Sequence, residues 1–296
     1  MRKRIFKCAA LVGLIVLISI GTLGCKVSTN TKVLSSNTKQ VSNNKDNDNM
    51  LLGNPSNAKA DVKFPDNYLI SKKQYTLSYS KSKEEPNWVS WHLDSSNIGS
   101  ASRENNFRKD DLLPADWYKV IPDDYKNSGF DKGHMCPSAD RTSSTENNSA
   151  TFLMDNMIPQ APKNNQIVWE KLEEYTRSLV KNGNEIYIIS GSSGKGGTGS
   201  KGYKTTIGNG VVVPATIWKV IVILSDGDND ISRINKSTRV IAVSIPNTQD
   251  CASKPWADYR VSVDSIESLT GYDFLSNVPV NVQDKIESHI DSEQTK

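Results

Sequence analysis

One histidine sits in a polar, glycine-bearing stretch, Asp131-Lys132-Gly133-His134-Met135-Cys136-Pro137-Ser138-Ala139-Asp140-Arg141. It is followed by Asn156-Met157-Ile158-Pro159-Gln160, and then by Asn165, Trp169 and Glu173 at intervals of four. An imidazole can take a proton from water near neutral pH, and amide and carboxylate oxygens are the hard donors that hold Mg²⁺. A base and a cation on either side of a phosphate make a one-metal phosphodiesterase. No other stretch of the chain offers comparable chemistry.

Each of these residues also has a plainer reading. A lone histidine is more often structural, but His134 follows a glycine in a turn-forming sequence rather than an apolar strand. His92, inside Trp88-Val89-Ser90-Trp91-His92-Leu93, reads as a half-buried strand residue, and His289 near the tail as a solvated one. Three scattered histidines without a usable cysteine pair argue against a zinc site. Asn165 could simply open a helix, with Glu173 on its solvated face. In the functional reading the Asn165 carbonyl oxygen binds the ion directly. Glu173, about 12 Å further along the axis by helix rise, then reaches only the water around it.

Two other motifs lead nowhere. Asp226, Asp228 and Asp230 mimic the start of an EF-hand, but the sixth position is Ile231 and the twelfth Ser237, so a polar turn is expected. The run Gly194 to Gly202 lacks the Lys-Ser/Thr order of a phosphate loop and reads as a strand connection.

The elements that must position the site emerge from periodicity. Gln74–Tyr79 and Trp88–Leu93 read as strands flanking a charged turn. Glu185–Ser190, Trp218–Leu224 and Arg239–Ile245 are short β-branched runs. A helix is expected over Asn165–Asn182, with Val168, Leu172, Tyr175 and Leu179 on its buried stripe and Gly183 as its stop. Val263–Leu269 and Val282–Ile290 are further helices. Strands and helices without regular alternation argue for an α+β fold.

The N-terminus opens with Arg2, Lys3, Arg4 and Lys7 before an apolar run from Cys8 to Leu23, the layout of an export signal over residues 1–25. Gly24-Cys25 suggests a lipoprotein signal, although Thr22 and Leu23 depart from the usual pattern. Lipid attachment at Cys25, simple secretion and an uncleaved anchor all stay open, and the membrane enters only through such a signal or lipid. An extracellular or surface-anchored location is expected. Residues 26–62, rich in Ser, Thr, Asn and Lys, read as a disordered tether, and residues 63–292 as one globular domain.

The whole chain has 36 Lys+Arg against 33 Asp+Glu, but removing the four signal cations leaves 32 against 33. Any polyanion site must therefore be a local cluster. Cys136 and Cys251 could pair in an oxidising compartment or stand as two free thiols.

Taken together, Asn87-Trp88-Val89, Arg103-Glu104-Asn105-Asn106-Phe107-Arg108, the His134 segment, Asn156–Gln160 and Ser268–Val278 resemble, in order, the DNA/RNA non-specific endonuclease family. These are the Serratia-type ββα-metal (His-Me finger) nucleases, and the cyanobacterial sugar-non-specific members are the most similar. The resemblance implies a central, mostly antiparallel sheet flanked by helices. It puts His134 on the general base, Asn165 on the direct protein ligand to Mg²⁺ (Mn²⁺ substituting), and Glu173 on the residue that orients water around the metal. Arg103 matches an arginine that stabilises charge on the phosphate, Asn156 a supporting active-site asparagine, and Asp131 the first residue of an Asp-Arg-Gly-His signature.

Lys132 replaces that signature's arginine, keeping the charge for substrate binding but losing bidentate contact with phosphate oxygens. DNA and RNA are the implied substrates, cut to 5′-phosphate and 3′-hydroxyl ends. The competing reading is a surface-anchored nucleic-acid-binding or uptake protein on a scaffold that no longer cleaves. Lys132 is the only feature in its favour. Oligomeric state is not legible.

Overall fold

The computed structural model describes residues 48–295. The signal segment and residues 26–47 of the expected tether lie outside the described residues. The rest of the expected tether is corrected by the structure. Residues 48–62 are part of the folded domain, with Leu52 and Ala58 at 3% and 2% exposure. Asn54 holds its own turn by accepting from Ala58 N at 2.9 Å, and Trp88 Nε1 donates to Ser56 Oγ at 2.8 Å. Polar residues here make turns around two apolar anchors, which composition alone cannot distinguish from disorder.

The frame is a seven-stranded antiparallel sheet. Its strands are β1 (Tyr68–Ser71), β2 (Thr76–Ser80), β3 (Glu85–Leu93), β6 (Asn184–Ser193), β7 (Thr216–Ser225), β8 (Arg239–Pro246) and β9 (Arg260–Val261), in that spatial order. A separate two-stranded ribbon comprises β4 (Asp131–His134) and β5 (Met157–Gln160). All five strands read from the sequence are present.

Successive side chains on a strand point to opposite faces, and this alternation sorts the core in two. Trp91, Ile188, Ile221 and Ile241 are neighbours in register across four strands and share one cluster. Ile189, Val220 and Ala242 form the adjacent row and belong to the other. The first face is covered by α1 (Glu170–Lys181), the second by α2 (Val263–Thr270) and α3 (Val280–Glu287) together with Leu52 and Ala58. The architecture is the expected α+β, ββα-metal type, with β4, β5 and α1 as the two strands and the helix.

The helix predicted over Asn165–Asn182 is one continuous rod, but its first turn, Asn164–Trp169, is a π-helix. The wider turn changes the phase of the rod relative to a uniform 3.6-residue period. Val168 and Leu172 are buried as expected, while further along Thr176 and Val180 are buried instead of Tyr175 and Leu179. Gly183, with φ of 85°, ends it.

The aspartate motif forms a polar turn, with one correction. Asp226 and Asp228 are exposed, but Asp230 is buried and paired with Arg233 at 2.6 Å and with the Tyr187 hydroxyl. The glycine-rich run forms a ribbon of Gly197–Gly199 with Gly202–Lys204. Cys136 and Cys251 are both free and buried, so these thiols do not pair. His92 is buried rather than half-buried, its Nε2 3.1 Å from Glu185 Oε2. No helix among the described residues is long and apolar enough to cross a membrane.

Candidate active site

The β4–β5 ribbon presents His134. Gly133 lies directly across from Ile158, and a Cβ there would overlap the side chain of Gln160, so the position admits only glycine without displacement. Asn156, wholly buried just before β5, fixes the backbone immediately after the histidine. Its Oδ1 accepts from Cys136 N, and its Nδ2 donates to Cys136 O and Thr151 O, each at 2.9 Å. Its backbone oxygen accepts from Met135 N at 2.9 Å. With its side chain fully engaged, Asn156 acts through the backbone on which His134 is mounted and does not line the cleft.

His134 itself is buried between aromatic rings, Phe152 at 5.0 Å and Phe107 at 5.6 Å between centroids. Its Nε2 is sealed from solvent with no hydrogen-bond partner among the described residues. Burial, then the nearby charges of Arg103 and Lys132, hold the imidazole well below its usual range, at about 3. The ring is therefore neutral at physiological pH.

Asp131, at the other end of β4, orients the amide. Its Oδ2 accepts from Asn165 Nδ2 at 2.9 Å and from Gln166 Nε2 at 2.7 Å. Asn165 Oδ1 is left with no hydrogen bond among the described residues, on a side chain that lines the same cleft as His134. The π turn bears on this directly, because it presents Asn165 and Gln166 together to one carboxylate. A carboxylate that captures the nitrogens dictates which way the amide oxygen faces.

Glu173, one turn into α1, has 14% of its side chain exposed and lies 3.9 Å from Lys219 Nζ. Lys219 is almost wholly buried on β7, its ammonium 4.3 Å from the Trp169 ring centroid and 5.5 Å from that of Trp91. Burial pushes the Glu173 carboxyl up to about 7; the Lys219 charge opposes this, and Asp140 adds to it. Burial conversely lowers the Lys219 ammonium. Arg177, one further turn along, pairs with Asp140 at 3.0 Å, and Asp140 in turn accepts from Trp91 Nε1 at 3.0 Å.

These groups converge on one cleft of about 390 Å³. Arg103, Lys132, His134, Asn165 and Glu173 all line it, while Asp131 and Asn156 support it from beneath. Arg103 is held by Asn105 at 2.8 Å and Ser138 at 2.6 Å, over the Phe152 ring at 4.9 Å. Lys132 lies over Phe107 at 4.8 Å. A second cleft of about 460 Å³ adjoins across Lys132 and Asn165.

Sequence reasoning missed Arg177, Glu170 and Gln166, which line the first cleft, and Lys219 beneath it. Arg177 lies four residues beyond Glu173, a spacing that could have identified it. A lysine in the middle of Thr216–Ser225 was a signal too.

The oxygen donors suit a hard divalent cation. Among the described residues Asn165 Oδ1 lacks a partner, Glu173 and Glu170 add carboxylates, and no thiol lines the cleft. The cluster His92–Glu185–Asp230 elsewhere in the fold is served instead by Arg233, whose guanidinium bonds both carboxylates.

Three comparisons bear on this arrangement. Residues 53–281 match the sequence model described as DNA/RNA non-specific endonuclease, a span that includes part of the segment whose composition suggests a tether. A nuclease of Nostoc sp. is 51% identical over 243 residues, covering 82% of this chain and 86% of the relative. Human mitochondrial endonuclease G is 30% identical over 217 residues, covering 71% and 70%. Among solved structures, a chain of the EndoG/EndoGI inhibition complex superposes with a TM-score of 0.65 at 24% identity, covering 78% of this chain and 91% of that one. That likeness concerns the fold.

Proposed function

The chain belongs to the DNA/RNA non-specific endonuclease family and is an endonuclease; from that premise we propose that His134 is its general base and that Asn165 holds the divalent cation, Mg²⁺ by preference with Mn²⁺ able to substitute. The proposed products are 5′-phosphate and 3′-hydroxyl ends. The observation that carries this reading is the capture of the Asn165 amide nitrogen by Asp131, which leaves an amide oxygen on the same cleft as a neutral, ring-flanked imidazole.

When bound, the cation supplies Lewis-acid charge at the scissile phosphate. The remaining steps belong to the protein. With Nε2 sealed away, Nδ1 is the ring nitrogen that takes the proton from the attacking water. Arg103, fixed by Asn105 and Ser138, places positive charge where the phosphate becomes more negative, and cannot swing away without losing both partners. Glu173 accepts hydrogen bonds from water in the cleft, and Lys219 behind it favours the ionised form. Lys132 keeps a cation at the mouth, so replacing the signature's arginine preserves charge there.

Three cations on the cleft read phosphate rather than bases, which favours cutting DNA and RNA alike. We place the activity outside the cytoplasm on the residue 1–25 segment; labelling with a radioactive fatty acid would test attachment at Cys25. The purified chain should nick supercoiled plasmid and degrade RNA with Mg²⁺ and stop in EDTA. Equal cleavage by His134→Ala would overturn the assignment of the base.

A further inference from the structure

On the opposite face of the molecule's main sheet, α2 and α3 bring three carboxylates together. Asp264 is exposed, Glu267 half-buried and Glu287 buried, and one oxygen from each lies within 4.8 Å of the others. Glu267 Oε1 accepts from Phe274 N at 2.8 Å, which holds the turn after α2. Glu287 is only 6% exposed, and its Oε1 is buried without a hydrogen-bond partner among the described residues.

Burial, then the negative charges of Glu267, Asp264, Asp273 and Asp284, push the Glu287 carboxyl up to about 8. Among the described residues no lysine or arginine forms a salt bridge with any of the three, in contrast to Glu173 with its Lys219 and to Glu185 with its Arg233. A buried carboxylate needs a counter-charge or a proton. One proton on Glu287 satisfies one oxygen but leaves Asp264 and Glu267 facing each other.

We propose that Asp264, Glu267 and Glu287 form a structural divalent-cation site of the Ca²⁺ type, distinct from the catalytic cleft. The donors are all hard oxygens, and exposed Asp264 leaves one side open to water. Ca²⁺ accepts six to eight such ligands in irregular geometry, whereas Mg²⁺ requires a near-octahedral shell. The site would clamp α2 to α3 and to the turn that receives the start of the domain. There Asp273 N donates to Pro55 O at 2.9 Å, and Asn277 N to Leu52 O at 3.1 Å. A bound ion would thus secure residues 52–55 against the rest of the domain.

The test is thermal unfolding of the full chain in excess Mg²⁺, with and without added Ca²⁺. Ca²⁺ at millimolar concentration should raise Tm by about 3 to 6 °C. Glu287→Gln should abolish the shift, and Asp264→Asn, at an exposed position, should weaken the apparent Ca²⁺ affinity at least about tenfold. Plasmid cleavage with Mg²⁺ should be unchanged in both variants, which separates this site from the catalytic one. No shift in the wild type, or an equal shift in wild type and Asp264→Asn, would overturn the proposal. So would a Glu287→Gln protein that is simply more stable and responds to Ca²⁺ like the wild type, because the carboxylates would then only share a proton.

Discussion

Trp218 and Lys219 are consecutive residues of β7, and the sheet sends them to opposite faces. Trp218 enters an apolar cluster, with the Phe274 ring 5.3 Å away and Val220 and Val222 beside it on the strand. Lys219, equally buried, puts an ammonium between Trp169 and Trp91 behind Glu173. Two side chains of similar burial therefore do different work. On one face burial stabilises the fold. On the other it keeps water from a charged pair and an imidazole, at a cost in solvation that the rest of the sheet must offset. Exposure alone therefore does not mark the face that carries the cleft.

The comparison can be broken by mutation. The largest effect should come from His134→Ala, with plasmid cleavage falling by about 10²- to 10⁴-fold, the range of a lost general base, while Tm changes little. A gel assay beside a melting curve decides it, and a variant that melts early and cleaves normally would invert the assignment of the two faces. Trp218→Ala should do the reverse, costing about 3 to 5 kcal/mol of stability in denaturant titration with kcat retained by the folded fraction.

The pH profile sharpens the contrast within the cleft. Glu173 lies at about 7 and His134 at about 3. The ionised carboxylate therefore fades as pH falls through 7, while the imidazole stays neutral throughout. The acid limb of kcat/KM should accordingly belong to Glu173 and vanish in Glu173→Gln. Removing the compensating charge in Lys219→Met should raise the Glu173 carboxyl further and move the limb to higher pH. A limb unaffected by either substitution would remove Lys219 from the account. The smallest expected effect is Lys132→Arg, a gain below about tenfold in kcat/KM from bidentate phosphate contact, visible on short oligonucleotides.

Much of the molecule is legible in the sequence, for physical reasons. Strands such as Arg239–Pro246 are runs of β-branched residues that can do little else. His134, Asn165 and Glu173 stand out because polar groups of that chemistry are rare in such spacing, and all three line one cleft. The features that escape a sequence reading depend on long-range contact. The π turn at Asn164–Trp169 has no propensity signal and is visible only where Asp131 receives two amides. Asn156 can be matched as an active-site residue, but not as a clamp on the backbone of Met135 and Cys136. Leu52 looks like part of a polar tail because a bonding partner lies more than 200 residues away, as the bond from Asn277 to Leu52 shows.

A Mn²⁺-soaked crystal examined by anomalous scattering is the decisive experiment. A peak is expected in direct contact with Asn165 Oδ1, in the cleft shared with His134. Mn²⁺ found only at other carboxylates, with the Asn165 amide oxygen turned away, would contradict the assignment of the cation to Asn165.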